Sequence, residues 1–352
     1  MTQQMKAAVL YGKEDLRIDV LPVPEPAPGQ IVVHVQAALT CGTDLKVYRR
    51  GYHAKMLQPP IPFGHELAGY VAAIGDGVTE FREGDRVVAL NSAPCGTCYF
   101  CHRGQENLCD ALLFNNGAYA EYIRIPACIV AKNTLHVPES ILLEHAAMTE
   151  PLACVVQGLD ETGVQAGDQI VVIGAGPIGL MFMHLASRMG TDVIAVVKRD
   201  AQVQAAKALG ARQVVNVAVE NDIVAAVRDL TTGHRGADAV VEAVATPHTW
   251  QWAVDMVRKG GVVNFFGGCA AGTKVELDTN QLHYNSLTLR ASFHHTPSVC
   301  RRAFGWIASG KFDAAAFLTA RKPLDEVVNV FRDMMNRTSV APVADIKTVI
   351  LP

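Results

Sequence analysis

Apolar and polar positions follow two different rhythms along the chain. Up to about residue 125 they form short runs, such as 6–10, 31–39, 68–74 and 86–90, in which apolar side chains alternate or cluster. Turn sequences separate the runs, among them Pro26-Ala27-Pro28-Gly29 and Gly75-Asp76-Gly77. Short runs with Gly/Pro punctuation predict β-strands, so this part reads as β-rich and barrel-like. After about residue 150 the rhythm changes. Apolar strands at Gln169–Ile173, Asp192–Val197, Gln213–Asn216 and 239–243 alternate with helical stretches at 180–189 and 201–209. Such alternation predicts a parallel, doubly wound sheet, an α/β architecture. From about residue 290 the alternation fades, and the end of the chain is expected to rejoin the first domain. The resulting plan is a β-rich domain over 1–152, an α/β domain over 153–290, and a return to the first domain over 291–352.

Composition narrows the picture only where it excludes something. At 352 residues the chain is longer than a single core usually supports, which agrees with two domains. A formal charge of −3, a pI near 6.5 and the lack of any basic run argue against a nucleic-acid partner. The most apolar stretch, 170–186, is broken by three glycines and a proline, so no membrane span is expected. The start, Met1-Thr2-Gln3-Gln4-Met5-Lys6, has no apolar signal core. Five of the nine cysteines (Cys41, Cys128, Cys154, Cys269 and Cys300) are scattered singly, the usage expected in a reducing cytoplasm.

The other four change the picture. Cys95, Cys98 and Cys101 stand at CxxC steps, and Cys109 follows after seven residues. Four thiols so placed can surround one tetrahedral zinc in a closed, structural site, a lobe at about 91–110. A bacterial ferredoxin run would place its fourth cysteine after three residues and follow it with proline; here Asp110 follows. With four thiolates completing the tetrahedron, His102 is not needed as a ligand. A closed site does no chemistry, so function must lie elsewhere.

Strand 169–173 runs into Gly174-Ala175-Gly176-Pro177-Ile178-Gly179 and then an apolar helix. In that strand–helix context the glycine spacing predicts a dinucleotide site. Gly174 allows the tight turn, Gly176 lets backbone approach a pyrophosphate, and Gly179 lets helix and strand pack. The end of the second strand distinguishes the nicotinamide cofactors. An NAD site usually carries an acid there for the ribose 2′-hydroxyl. This chain reads Val197-Lys198-Arg199-Asp200, and the two cations suit a 2′-phosphate. NADP is therefore the expected cofactor, with NAD possible if Asp200 takes the ribose.

Cys41-Gly42-Thr43-Asp44 and Gly64-His65-Glu66 supply the remaining candidate chemistry. His65-Glu66 is not a zincin motif, since Gly69 stands where the second histidine would be. Cys41, His65 and a carboxylate would give zinc three protein ligands and leave a fourth position for water or substrate. Taken in order with the four-cysteine lobe, Glu150-Pro151-Leu152, the glycine loop and the tail Asp345-Ile346-Lys347, these motifs give a resemblance over nearly the whole chain. The chain resembles the zinc-dependent medium-chain alcohol/polyol dehydrogenases, in particular their sorbitol/threonine dehydrogenase-like branch.

That resemblance implies a GroES-like β-barrel catalytic domain joined to a Rossmann doubly wound nucleotide-binding domain, with two zinc ions per chain. It implies Cys41 and His65 as ligands of the catalytic zinc, with Glu66 and Glu150 sharing the carboxylate role according to state. Asp44 would orient His65, Thr43 would relay the substrate proton, and Lys347 would lie near the cofactor pyrophosphate. Tyr48 and Phe293 would help line the substrate pocket, whereas His294 and His295 read as surface or core histidines. The expected activity is hydride transfer between a secondary alcohol or polyol, with its ketone, and NADP. Its partners would be that small molecule and further copies of the chain, as a homotetramer or homodimer. The alternatives are L-threonine-type amino-alcohol oxidation with NAD, a zinc-free quinone or enone reductase, and a non-catalytic NADPH-sensing zinc protein. The intact Cys41/His65/Glu66 set weighs against the last two.

Overall fold

The computed structural model describes residues 3–53, 55–336 and 346–352. Among them the chain forms two compact units. One runs to Ala153 and resumes at His295, and the other is Cys154–His294.

The first unit is built from β-structure around one central strand. Ile31–Leu39 is apolar and buried except at His34 and Gln36, which are half-buried, the pattern of a strand largely covered on both faces. It pairs antiparallel with Leu67–Ile74, with Tyr122–Ile125 and with the last strand, Lys347–Leu351. Arg86–Ala89 and Thr134–His136 extend the sheet beyond Leu67–Ile74, and Leu318–Pro323 extends it beyond Lys347–Leu351. A separate small sheet joins Gln4–Gly12, Asp15–Pro22 and Ile61–Pro62. The core packs Phe63, Tyr119 and Phe331 with centroids 5.6–5.9 Å apart.

Register at the central strand decides what meets at its far end. Ala38 faces Leu67 and Leu39 faces Val349. Cys41, just beyond Leu39, Glu66, just before Leu67, and Lys347, just before Val349, therefore converge at one edge of one sheet. Leu67 also pairs with Ala89, which brings Asn91 towards the same edge.

The second unit is a parallel sheet with its strands in the order Gln213–Asn216, Asp192–Val197, Gln169–Ile173, Ala237–Glu242, Val257–Phe265, Thr288–Ala291. This is the doubly wound order with a switch point beside the first strand. Helices Pro177–Arg188, Asp200–Ala208, Ile223–Asp229 and Pro247–Met256 alternate with the strands. Its core holds Val171, Ile173, Ile194, Val196, Val240 and Val263, all buried.

Candidate functional site

At the sheet edge of the first unit, Cys41 caps the helix Gly42–Arg50, and its sulfur accepts a hydrogen bond from Thr43 N at 3.4 Å. His65 follows Gly64, whose φ is +89°. A Cβ on Gly64 would meet the Tyr119 ring at 2.7 Å, so only glycine lets the chain turn there. His65 is buried, and its Nδ1 donates to Asp44 Oδ1 at 2.8 Å. That bond fixes the tautomer and leaves Nε2 as the donor atom for a metal. Glu66 is wholly buried, with Lys347 Nζ donating to Oε1 at 2.9 Å and lying 2.7 Å from Oε2. Oε2 is thus ion-paired but has no hydrogen bond.

The ligand atoms of Cys41, His65 and Glu66 lie within 4.8 Å of one another. Sulfur, imidazole nitrogen and a carboxylate oxygen free of hydrogen bonds fit a zinc ion with three protein ligands and one open position. Strong fields act among these groups. Burial pulls the His65 imidazole down, but Asp44 and the Cys41 sulfur outweigh it and hold the group well above its ordinary value. Burial raises the Glu66 carboxyl, opposed by Lys347 and reinforced by Glu150. Lys347 is itself lowered by burial, yet Glu66 and its neighbours leave it raised.

Glu150, in the first turn of Thr149–Thr162, is buried too but is not in the group formed by Cys41, His65 and Glu66. Its Oε1 lies 3.6 Å from His295 Nε2. Burial lowers His295, but Cys300 and then Glu150 raise it to about 10.

The four-cysteine lobe is a second metal-binding geometry. All four sulfurs lie within 4.8 Å of one another, with Cys95–Cys101 at 3.9 Å and Cys98–Cys101 at 3.5 Å. A Zn–S bond of about 2.3 Å puts tetrahedral sulfurs about 3.8 Å apart, so the spacing suits zinc. All four cysteines are unbridged. Backbone N–H groups favour charge on two of them: Thr97 helps bring Cys95 down to about 6, and Cys101 and Asp110 lower Cys98. Burial raises Cys101 and pushes Cys109 up to about 12.

In the second unit, Gly174 follows the strand at φ +103°, and its N–H donates to Val196 O at 2.8 Å. A Cβ on Gly179 would lie 1.9 Å from Gly174 O, so the helix packs on the loop only because this residue is glycine. Pro177 opens the helix Pro177–Arg188, where its missing N–H costs nothing. The helix N-terminus stands beside the switch strand, the position at which a pyrophosphate is held in this fold.

Residues 27–139 match the alcohol dehydrogenase GroES-like domain, and residues 177–309 match the zinc-binding dehydrogenase model. Sorbitol dehydrogenase of Bacillus subtilis (strain 168) is 30% identical over 342 residues, covering 95% of this chain and 94% of that one. The chain belongs to the zinc-dependent medium-chain dehydrogenases/reductases. An L-threonine 3-dehydrogenase from Bacillus licheniformis is 31% identical to this dehydrogenase, over 95% of the chain and 96% of its own length. A structure from Sinorhizobium meliloti 1021, provisionally assigned as a zinc-binding dehydrogenase and bound to NADP, superposes with a TM-score of 0.89. It is 29% identical and covers 99% of this chain and 100% of its own. This dehydrogenase is therefore an oxidoreductase acting on CH–OH groups, with the expected GroES-like and Rossmann domains. No helix among the described residues is long and apolar enough to cross a membrane.

Within the dehydrogenase, the end of strand Asp192–Val197 presents Lys198 exposed and Arg199 half-buried. Gln202 Oε1 accepts from both backbone N–H groups, and Gln202 Nε2 donates to Ala175 O, tying this turn to the glycine loop. Among the described residues neither cation forms an ion pair, whereas Asp200 Oδ1 accepts from Asn216 Nδ2 at 3.0 Å. The resemblance set Lys347 near a cofactor pyrophosphate; the structure buries its ammonium on Glu66. Asp345 of the same motif lies outside the described residues. Tyr48 packs in the apolar core against Phe331, Thr43 is half-buried, and Phe293 is exposed.

The contacts of three residues escaped sequence reasoning. His295 is buried and contacts Asn91, Glu150 and Cys300, Lys347 pairs with Glu66, and Tyr119 reaches Asp44. Only Lys347 carried a signal, as a cation two residues before the apolar run Val349-Ile350-Leu351.

Proposed function

We propose that this dehydrogenase moves a hydride between a secondary alcohol or polyol, with its ketone, and NADP in preference to NAD. The observation that carries the cofactor choice is the Lys198-Arg199 pair, without ion-pair partners among the described residues, beside an Asp200 already held by Asn216. A 2′-phosphate matches two such cations, and a guanidinium can bind it bidentately. The NADP-bound relative supports the same reading.

Two zinc ions per chain belong to this proposal, one held by Cys41, His65 and Glu66 and one by Cys95, Cys98, Cys101 and Cys109. When bound in the first set, zinc supplies the Lewis acidity that lets a substrate hydroxyl lose its proton near neutral pH. Asp44 holds His65 in the ligating tautomer, and Lys347 holds Glu66 in place. Glu150 offers a second carboxylate, and Thr43 a hydroxyl to carry the proton away. The enzyme works in the cytoplasm as a homotetramer or homodimer.

Initial rates across polyols, sugars, secondary alcohols and threonine, each with NADP and NAD, test the proposal. Turnover of a polyol or secondary alcohol with NADP is expected, and Arg199→Ala should weaken NADPH binding roughly tenfold more than NADH binding. An equal effect on both cofactors removes Arg199 from the 2′-phosphate site. The L-threonine 3-dehydrogenase relatives support a second reading, amino-alcohol oxidation with NAD. Activity on threonine with NAD would select it and make Asp200 the ribose partner.

A further inference from the structure

Tyr119 is wholly buried among apolar side chains, yet it brings a hydroxyl into them. That hydroxyl lies 2.7 Å from Asp44 Oδ2 and 3.0 Å from the carbonyl of Leu39. It has one proton to donate, and the shorter, charge-assisted contact is to Asp44. The other oxygen of the same carboxylate accepts from His65 Nδ1. Asp44 is therefore held from both sides, by Tyr119 on one oxygen and His65 on the other.

The tyrosine is anchored as firmly as what it holds. Gly117 N and Ala118 N both donate to Gly64 O, and Tyr119 N donates to Phe63 O at 2.9 Å. The ring covers Gly64 so closely that no Cβ fits between them. One side chain thus touches the strand end leading to Cys41, the helix carrying Asp44, and the residue preceding His65. A ring needed only to fill this space would require no hydroxyl, and a phenol buried without an acceptor would be costly.

We propose that Tyr119 is a positioning residue of the zinc centre: by fixing the Asp44 carboxylate it fixes the tautomer and orientation of His65, and so sets how tightly Cys41, His65 and Glu66 hold the metal. The inference rests on reading that cluster as the catalytic zinc site. Hydrogen-bond partners of metal-binding histidines tune affinity in this way.

The test is Tyr119→Phe, which keeps the ring on Gly64 and Phe63 and removes only the hydroxyl. Fold is first checked by circular dichroism and thermal melting. Zinc content is then titrated against a competing chelator for the wild type, Tyr119→Phe, Asp44→Asn and the double variant, and the visible spectrum is recorded with cobalt(II) in place of zinc. Tyr119→Phe should weaken one of the two zinc sites roughly tenfold, leave the four-cysteine site unchanged and shift the cobalt bands. In the Asp44→Asn background the same substitution should add less than about twofold, because the two residues act as one unit.

Unchanged affinity and spectrum in Tyr119→Phe would overturn the inference. So would an equal loss with and without Asp44, which would mark a packing role. If Tyr119→Phe does not fold, Asp44→Asn decides alone, and zinc held there at wild-type affinity overturns the inference. A separate result, His65→Ala with the same zinc content as wild type, would overturn the zinc reading itself together with this inference.

Discussion

The four-cysteine lobe and the Cys41–His65–Glu66 group, two clusters that could hold a metal, are built by opposite routes. The four-cysteine lobe draws every ligand from one short segment, 95–109, and its thiols are partly exposed apart from Cys109. Its geometry is stabilised locally by N–H groups of Cys95 and Thr97 and by Lys132, which donates to the carbonyls of Pro94 and Cys95. The Cys41–His65–Glu66 group draws its members from two strand ends, Cys41 after Ile31–Leu39 and His65-Glu66 before Leu67–Ile74, and each is held by a different neighbour. Cys41 is held by a helix N-terminus, His65 by Asp44, and Glu66 by a buried lysine. A closed site needs only spacing, whereas an open one needs each ligand held while a coordination position stays empty.

Substitutions can break this contrast in graded ways. The largest effect is expected of His65→Ala, which should reduce turnover to background while the lobe keeps its zinc and NADPH still binds. Steady-state rates with metal analysis check it, and retained turnover would place the chemistry elsewhere. Next comes Cys98→Ser, which should destabilise the protein by about 4 kcal/mol or more, since loss of a structural metal is among the severest single changes. Surviving protein should keep kcat within a few-fold, so a full complement of zinc with an unchanged melting temperature would contradict the structural assignment.

A smaller effect separates holding from ligating. Lys347→Met leaves the buried Glu66 charge without its partner and should cost about 3–5 kcal/mol in denaturant unfolding of the metal-free protein. Bound zinc should restore part of that loss, because the metal offers the carboxylate another cation. Identical losses with and without zinc would show that Glu66 does not meet the metal.

The same contrast explains what the sequence made legible. The lobe, the glycine loop and the strand Ile31–Leu39 were readable because each is a local pattern. Gly174, Gly176 and Gly179 stand within six residues of chain. Cys41 and His65 were readable only by motif order and resemblance, since nothing local joins them. The Glu66–Lys347 pair, 281 residues apart, comes from strand register, and the Tyr119–Asp44 bond, 75 apart, from the backbone bonds that tie 117–119 to Phe63 and Gly64. A polar residue in an apolar run shows that it needs a partner but not which one. His295 read as a surface or core histidine; it is buried, and its contacts with Asn91 and Cys300 could not be read.

The position of Lys347 in the last strand has a consequence for biosynthesis. A ribosome makes Cys41, His65 and Glu66 first, and the cation that pairs with Glu66 follows 281 residues after it. The 95–109 segment, by contrast, holds all four of its thiols once Cys109 has emerged. The lobe can therefore present a complete ligand set on the nascent chain, whereas Glu66 gains its buried cation only once Lys347 has been made.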